Sequence, residues 1–355
     1  MLFTILVIGI IAYAISLMFI AVRLLLFFIQ DAKPKKAHRD PPPYSVVVPF
    51  RNEEDNLPAL LWALLRQRHK PERIILVNDN STDDFQDVLK PFLDAFPFIE
   101  LINNSGSGKK QALKEGIDRS PTQWIATTDA DSMPHPEWAY GSLAYGCQKG
   151  LDLIGGMVVS GGRNFSEVLG TIDLMAQLSL SCVAKQNPVT ISASSLLFKK
   201  DVWQVVKPKW LEVPSVSGDD VFMLYIAQKE GFKTGFYCGR EGAVTTQMPH
   251  SIGELIRQRT RWASKIFFYR NLKPIFVLFI VALFSLMHVL AIATLNLWFL
   301  IPKAVIDFVF LTALTLPYTF FRWIPYLPLI SLGYPIFVLI IGLNALFRRG
   351  RWNAK

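Results

Sequence analysis

The chain has 355 residues, 51% of them hydrophobic, a mean hydropathy of +0.31 and a formal net charge of +9. That is too apolar for an ordinary soluble protein. The positive charge suits an anionic membrane face or phosphate-bearing ligands, and without an aromatic-basic recognition motif it does not point to nucleic acid.

The apolar residues are concentrated at the two ends. Residues 2–29 are broken only by Thr4, Ser16 and Arg23. A span needs about 20 apolar residues, so this stretch suffices. It has no basic residue before its core and no A-x-A cleavage pattern, so residues 1–30 read as an uncleaved anchor. The linker 31–43 follows. Its basic run KPKKAHR (33–39) predicts that the next domain faces the cytoplasm, although a solvated linker would look the same. The prolines of DPPPY then stiffen it.

Residues 44–270 have globular composition. YSVVVPF (44–50), RIILV (73–77), FIELI (98–102) and QWIATTD (123–129) are short apolar strands. NEEDNLPALLWALLRQ (52–67) has helical periodicity with an asparagine cap and acids in its first turn, and GKKQALKEGI (108–117) begins another helix. Alternating strands and helices predict an α/β fold with a mostly parallel sheet, in which ligands bind at the carboxyl ends of strands. The polar clusters RNEE, NDNSTD and DADS fall at those ends.

Residues 271–355 are a second membrane region. Three spans fit, near 274–296, 298–320 and 325–347, but they would put the basic tail RRGRWNAK outside, against the positive-inside rule. Two spans and an interfacial piece around PYTFFRWIP would keep the tail inside.

Each motif has a plain reading beside a chemical one. Asp129 and Asp131 directly follow a buried strand and can share a divalent cation, yet a lone D-x-D often merely closes a strand. Asp79 in NDNSTDD either makes a turn or hydrogen-bonds a nucleoside at the sheet's open end. GSGKKQALKEG lacks both the Walker A ending and the dinucleotide fingerprint, but Lys109 at a helix start can neutralise a diphosphate. Asp219 and Asp220 open a helix, as acids often do, and Asp220 can serve as a general base. The five histidines show no metal-binding spacing, which leaves His250 a weak candidate ligand. QRTRW (258–262), shortly before an apolar stretch, is either a topology signal or an active-site element, and Arg270 and Lys273 fit the topology reading.

The order of these elements is more specific than any one of them. VVVPFRNEE, VNDNSTDD, GKKQALKEGI, DAD, SGDD and QRTRW follow one another over residues 46–262. This resembles the membrane-bound family-2 inverting glycosyltransferases of GT-A (Rossmann-like) fold, relatives of cellulose, hyaluronan and ceramide-glucose synthases. The resemblance implies that Pro49, Glu53 and Asp79 contact the nucleoside and that Lys109 lies near the diphosphate. It implies that Asp129 and Asp131 bind Mg2+ or Mn2+, with Asp131 favoured as the direct ligand and Asp129 also serving the nucleotide. Asp220 matches the base, and Gln258, Arg261 and Trp262 match Q-x-x-R-W at the diphosphate and acceptor. Ala193 and Ser194, in ISASSLLFKK, replace glycines or a cysteine in the acceptor loop.

The implied reaction moves a sugar from a nucleotide-diphosphate sugar, UDP-linked by preference, to a lipid or glycan acceptor at the inner or plasma membrane. A small bundle favours single transfer over a processive polysaccharide synthase. A silent nucleotide-sugar-binding scaffold would be expected to lack the acids at 129, 131 and 220, and a nucleotidyltransferase would not need Q-x-x-R-W. The three cysteines, Cys147, Cys182 and Cys238, are odd in number and widely spaced, and imply neither a disulfide framework nor a zinc site.

Overall fold

The computed structural model describes residues 2–30, 41–184, 186–214, 219–264, 272–318 and 321–347. The basic run 33–39, Ser217 and Gly218 of SGDD, Arg270 and the tail 348–355 lie outside them.

In chain order the elements begin with α1 (Leu2–Gln30), β1 (Tyr44–Phe50), α2 (Leu57–Leu65), β2 (Arg73–Asn78), α3 (Phe85–Ala95), β3 (Ile99–Asn103), α4 (Lys109–Arg119) and β4 (Trp124–Thr127). Then come β5 (Met133–Pro134), α5 (Trp138–Lys149), β6 (Leu153–Gly156), β7 (Val158–Val159), α6 (Phe165–Ala184), β8 (Leu196–Lys199), α7 (Lys200–Glu212) and α8 (Asp219–Lys229). β9 (Thr234–Tyr237), β10 (Val244–Thr245), α9 (Ile252–Ala263), α10 (Leu272–Ala293), α11 (Leu297–Thr315) and α12 (Leu327–Phe347) complete the fold.

The chain divides into two compact units. One comprises residues 27–161 and 180–247 and holds a seven-stranded sheet in the order β3-β2-β1-β4-β8-β6-β9. Strands β1 to β4 pair in parallel, and β8 runs antiparallel to both neighbours. Every residue of β1 is buried, as expected of a central strand covered on both faces. Pro49 sits near its carboxyl end, beyond the stretch that pairs with β4, so its missing N–H costs no ladder bond there. Helix α2 buries Leu57, Leu60, Leu61 and Leu64, spaced as one helical face. Helix α4 approaches the sheet at Gly116, where an added Cβ would lie 2.4 Å from Val47 Cγ1. A small second sheet orders β5-β10-β7.

Two sequence expectations fail here. The helix expected from Asn52 begins at Leu57, and its first turn carries no acid. Asn52 instead adopts a left-handed backbone (φ 55°), and its side-chain oxygen accepts from Thr82 N at 2.8 Å. The short amide that caps helices also closes turns, and the turn wins. The second failure concerns the cysteines. Cys182 on α6 is disulfide-bonded to Cys238 just after β9, with Cα atoms 5.8 Å apart across a sequence separation of 56. Spacing along the chain carried no sign of that proximity.

The other unit comprises residues 1–26, 162–179 and 248–355. Leu6, Met287, Ala291 and Phe299 form a buried apolar cluster in it. Asp307 accepts hydrogen bonds from Tyr13 of α1 (2.5 Å), Lys303 of α11 (2.5 Å) and Ser331 of α12. Among the described residues five helical stretches are long and apolar enough to cross a membrane: Thr4–Phe27, Phe165–Ala184, Ile275–Ala293, Leu297–Tyr318 and Phe321–Phe347. The second was not legible as such, because Glu167 and Asp173 interrupt it.

Candidate active site

The site is built at the carboxyl ends of β1, β2 and β4. The loops after β1 and β2 are laced together: Asn52 N donates to Ser81 Oγ (3.0 Å), Glu54 N to Asp83 Oδ2 (2.9 Å) and Asp84 N to Glu54 Oε2 (2.6 Å). Asn80 shares the left-handed backbone of Asn52 (φ 56°), a conformation that asparagine tolerates better than most residues. Pro49 is buried within the strand, whereas Glu53 stands at the loop and its Oε2 accepts from Asn56 Nδ2 at 2.6 Å.

Asp79 is buried, and its carboxylate is engaged within the protein. It accepts from Gly108 N at 2.7 and 3.0 Å and from Asn104 Nδ2 at 2.8 Å. Gly108 has φ 93°, which favours glycine, and α4 starts at the next residue. Asp79 therefore sets the geometry of the loop that launches Lys109.

Lys109 forms an ion pair with Asp129. Desolvation opposes the lysine's charge, but Asp129, backed by Asp219 and Asp220, holds its pKa above the ordinary value. Burial would raise the Asp129 carboxyl, and Lys109 together with the Ser194 hydroxyl brings it below the ordinary carboxylate value. Ser194 Oγ donates to Asp129 Oδ2 at 2.5 Å.

Among the described residues Asp131 has no cationic partner at hydrogen-bond distance. Its closest polar contacts are the Ser132 and Thr246 hydroxyls, each 3.4 Å from Oδ1. Burial, then the charge of Asp129, then that of Glu53 push its carboxyl up to about 6, against weaker pulls from Lys109 and Thr246. A carboxylate so crowded by other carboxylates is one that a cation would relieve. Among the described residues no three His, Cys, Asp or Glu side chains gather as a ready-made metal cage. The oxygen-only donors still fit Mg2+ or Mn2+, ions that commonly take one or two carboxylates and complete their shell with water and phosphate.

Asp220 opens α8. Its Oδ2 accepts from Ala193 N at 3.0 Å and its Oδ1 from Val221 N at 2.8 Å. Lys110, beside Lys109, donates to the carbonyl of Val213 at 2.7 Å, just ahead of this helix. Sequence reasoning assigned that lysine no role. Its position next to Lys109 in GKK was the available signal.

Gln258, Arg261 and Trp262 lie on α9, in the unit that holds the apolar helices. Ser251 caps α9 by accepting from Glu254 N at 3.3 Å. Within QRTRW the two arginines differ. Arg261 is exposed, whereas Arg259 is buried, donates to Gln258 Oε1 at 2.7 Å, and places its guanidinium 4.1 Å from the centre of the Trp262 ring. His250, the weak metal candidate, shares a hydrogen bond between its Nδ1 and Glu167 Oε1 at 2.7 Å.

Residues 45–204 match the family described as Glycosyl transferase family 2. Glycosyltransferase AglE of Haloferax volcanii is 25% identical over 223 residues, 61% of this chain and 70% of that protein. The poly-beta-1,6-N-acetyl-D-glucosamine synthase of Staphylococcus aureus is 25% identical over 227 residues, 60% of this chain and 52% of that protein. The undecaprenyl-phosphate 4-deoxy-4-formamido-L-arabinose transferase of Pseudomonas fluorescens is 33% identical over 127 residues, 34% of this chain and 36% of that protein. The match thus spans about half or less of the last two relatives. Among solved structures, the mannosyltransferase PcManGT from Pyrobaculum calidifontis, in complex with GDP-Man and Mn2+, shares the fold with a TM-score of 0.54 at 15% identity, over 95% of this chain and 99% of that one. The parallel sheet, the acids at its carboxyl edge and these likenesses agree: residues 45–204 form a family-2 glycosyltransferase domain of GT-A fold, in a chain that also carries helices long and apolar enough to cross a membrane.

Proposed function

We propose that the protein transfers a sugar from a nucleotide-diphosphate sugar, UDP-linked by preference, to a membrane-associated lipid or glycan, with inversion at the anomeric carbon. The observation that carries this reading is the gathering of Lys109, Asp129, Asp131 and Asp220 around one sheet edge, tied together by an ion pair, shared electrostatics and the 193–194 turn.

Asp131, with Asp129 behind it, would hold the Mg2+ or Mn2+, and that ion, when bound, neutralises charge on the leaving diphosphate. Lys109 uses one of its three donors on Asp129 and keeps others for phosphate oxygen. Asp79 contributes by fixing the loop ahead of Lys109, and Pro49 and Glu53 border the nucleoside side. Asp220 accepts the proton of the acceptor hydroxyl as that oxygen attacks the anomeric carbon. Its two backbone donors orient the carboxylate and leave further lone pairs for the proton. Inversion then needs one base and no protein nucleophile. The motif assigns the diphosphate to Arg261, whose planar fork of donors suits it. It assigns Gln258 and Trp262 to the acceptor.

A membrane protein suits an acceptor that resides in a membrane, and the relative named for undecaprenyl phosphate supports a single transfer to a lipid. The likeness to a poly-N-acetylglucosamine synthase favours a second reading, repeated transfer to a growing glycan. Nucleotide release by detergent-purified protein tests the proposal. The assay takes a panel of UDP-, GDP- and dTDP-sugars with Mn2+ or Mg2+ and a membrane-lipid extract. One donor should give release that Asp131→Ala abolishes, and product length separates the two readings. Release equal in wild type and Asp131→Ala would refute the metal assignment.

A further inference from the structure

Consecutive residues of one short turn hold two different carboxylates. Ala193 N donates to Asp220 Oδ2 at 3.0 Å, and Ser194 Oγ donates to Asp129 Oδ2 at 2.5 Å. The turn is itself anchored at several points. Ser192 Oγ accepts from Ser194 N, and Thr127 Oγ1 at the end of β4 donates to the Ala193 carbonyl at 3.0 Å. Trp138 Nε1 donates to Ser195 Oγ at 3.0 Å, and β8 begins at Leu196. Ser194 and Ser195 are buried, so these bonds are little exposed to competition from water.

We propose that Ala193 and Ser194 are positioning residues that set the donor-side and acceptor-side carboxylates from a single rigid turn. Ser194 fixes Asp129 through its hydroxyl, and Ala193 fixes Asp220 through its backbone N–H. The proposal rests on the transferase reading given above. Its physical content is that adjacent Cα atoms are held about 3.8 Å apart, so the turn fixes the spacing of the two donors, each of which orients its own acid. A carboxylate with a fixed hydroxyl donor loses rotamer freedom before the ligands arrive, which is how outer-shell partners tune a metal or catalytic site. A turn that only led into β8 would need none of this.

The local backbone supplies a selective test. Ala193 is the first residue of a 3-10 turn, and Ser192 before it is extended (φ −123°, ψ 137°). Those are conditions under which proline is tolerated and under which it removes the N–H. Ser194→Ala, Ser194→Thr and Ala193→Pro are made in the full-length protein. Thermal unfolding checks that each is folded. Calorimetry measures Mn2+-dependent binding of UDP or GDP, whichever binds wild type, and steady-state nucleotide release gives kcat and donor KM.

Ser194→Ala should weaken nucleotide binding roughly tenfold and raise donor KM in step, with the smaller effect on kcat, and Ser194→Thr should restore binding. Ala193→Pro should leave binding near wild type and lower kcat by about tenfold or more. Wild-type binding in Ser194→Ala, failure of threonine to restore it, or both variants lowering the same parameter would overturn the proposal. If Ala193→Pro does not fold, the Ser194 pair decides alone. Asp131→Ala in the same calorimetry keeps the two ideas apart: if it retains Mn2+-dependent binding, the cation assignment fails, while the Ser194 comparison still decides the positioning role on its own.

Discussion

Arg259 Nε donates to Asp173 Oδ2 at 2.5 Å, and the two side chains are only 3% and 6% exposed. Tyr334 OH donates to the other carboxylate oxygen at 2.7 Å, and Arg259 Nη2 donates to the Gly170 carbonyl at 2.6 Å. The inner arginine of QRTRW is thus a strut joining α9, α6 and α12, while Arg261 two residues on is exposed. Arg259→Leu leaves Asp173 as a buried charge without its partner and should cost about 3–5 kcal/mol. The expected result is loss of the monodisperse peak in size-exclusion chromatography. Arg261→Ala should keep that peak and its melting temperature yet lose transfer. Equal folding defects in both would contradict the division of labour.

Asp131 gives a pH signature. Its carboxyl is pushed up to about 6 without a cation, above an unfolded value of about 4. The folded protein then binds this proton more tightly than the unfolded chain does. Stability from this group therefore falls as pH rises from about 4 to about 6 and is level above that. In EDTA, the melting temperature of wild type relative to Asp131→Asn should fall across that interval. Added Mn2+ should raise the wild-type value at pH 7.5 and have little effect at pH 4.5, where the proton occupies the carboxylate. A difference independent of pH would show that this carboxyl is not crowded as described.

Much of the sheet was legible because buried parallel strands leave unbroken runs such as Val46-Val47-Val48, and the carboxyl-end rule then located the acids. Residue roles were less legible. Asp79 reads as a ligand contact from its motif, but only the fold reveals Gly108 and Asn104 engaging its carboxylate. Arg259 and Arg261 look alike in sequence, because helical phase places them without revealing that Asp173, 86 residues away, waits for one of them. Apolar α6 escaped notice since its acids lower the local hydropathy while being paired in the fold.

The Lys303–Asp307 pair tests the same physics in the apolar helices. Both side chains are buried (5% and 7% exposed), and Lys303 also donates to the Ser331 carbonyl at 3.0 Å. Lys303→Met alone or Asp307→Leu alone should each cost about 3–5 kcal/mol, and the double variant should recover much of that loss. Thermal unfolding in detergent measures this. Additive losses in the double variant would show that the pair is not coupled.

Cys147 is free and exposed, whereas Cys182 and Cys238 are joined. Alkylation of the unfolded, unreduced protein should label one thiol per chain by mass spectrometry, and three after reduction. Three labels without reductant would contradict the pairing. Removal of the bond by Cys238→Ser should cost about 2–4 kcal/mol.

The central claim, that Asp220 is the base of a transfer reaction, is tested most directly by Asp220→Asn. Asparagine keeps the shape and can still accept from Ala193 N, but it cannot take a proton. Sugar transfer and nucleotide binding are measured side by side on the purified full-length protein with Mn2+ and its best donor. Transfer reduced by a factor of about 100 or more, with nucleotide binding near wild type, is the predicted result. Wild-type turnover in Asp220→Asn would contradict it and send the search for the base elsewhere.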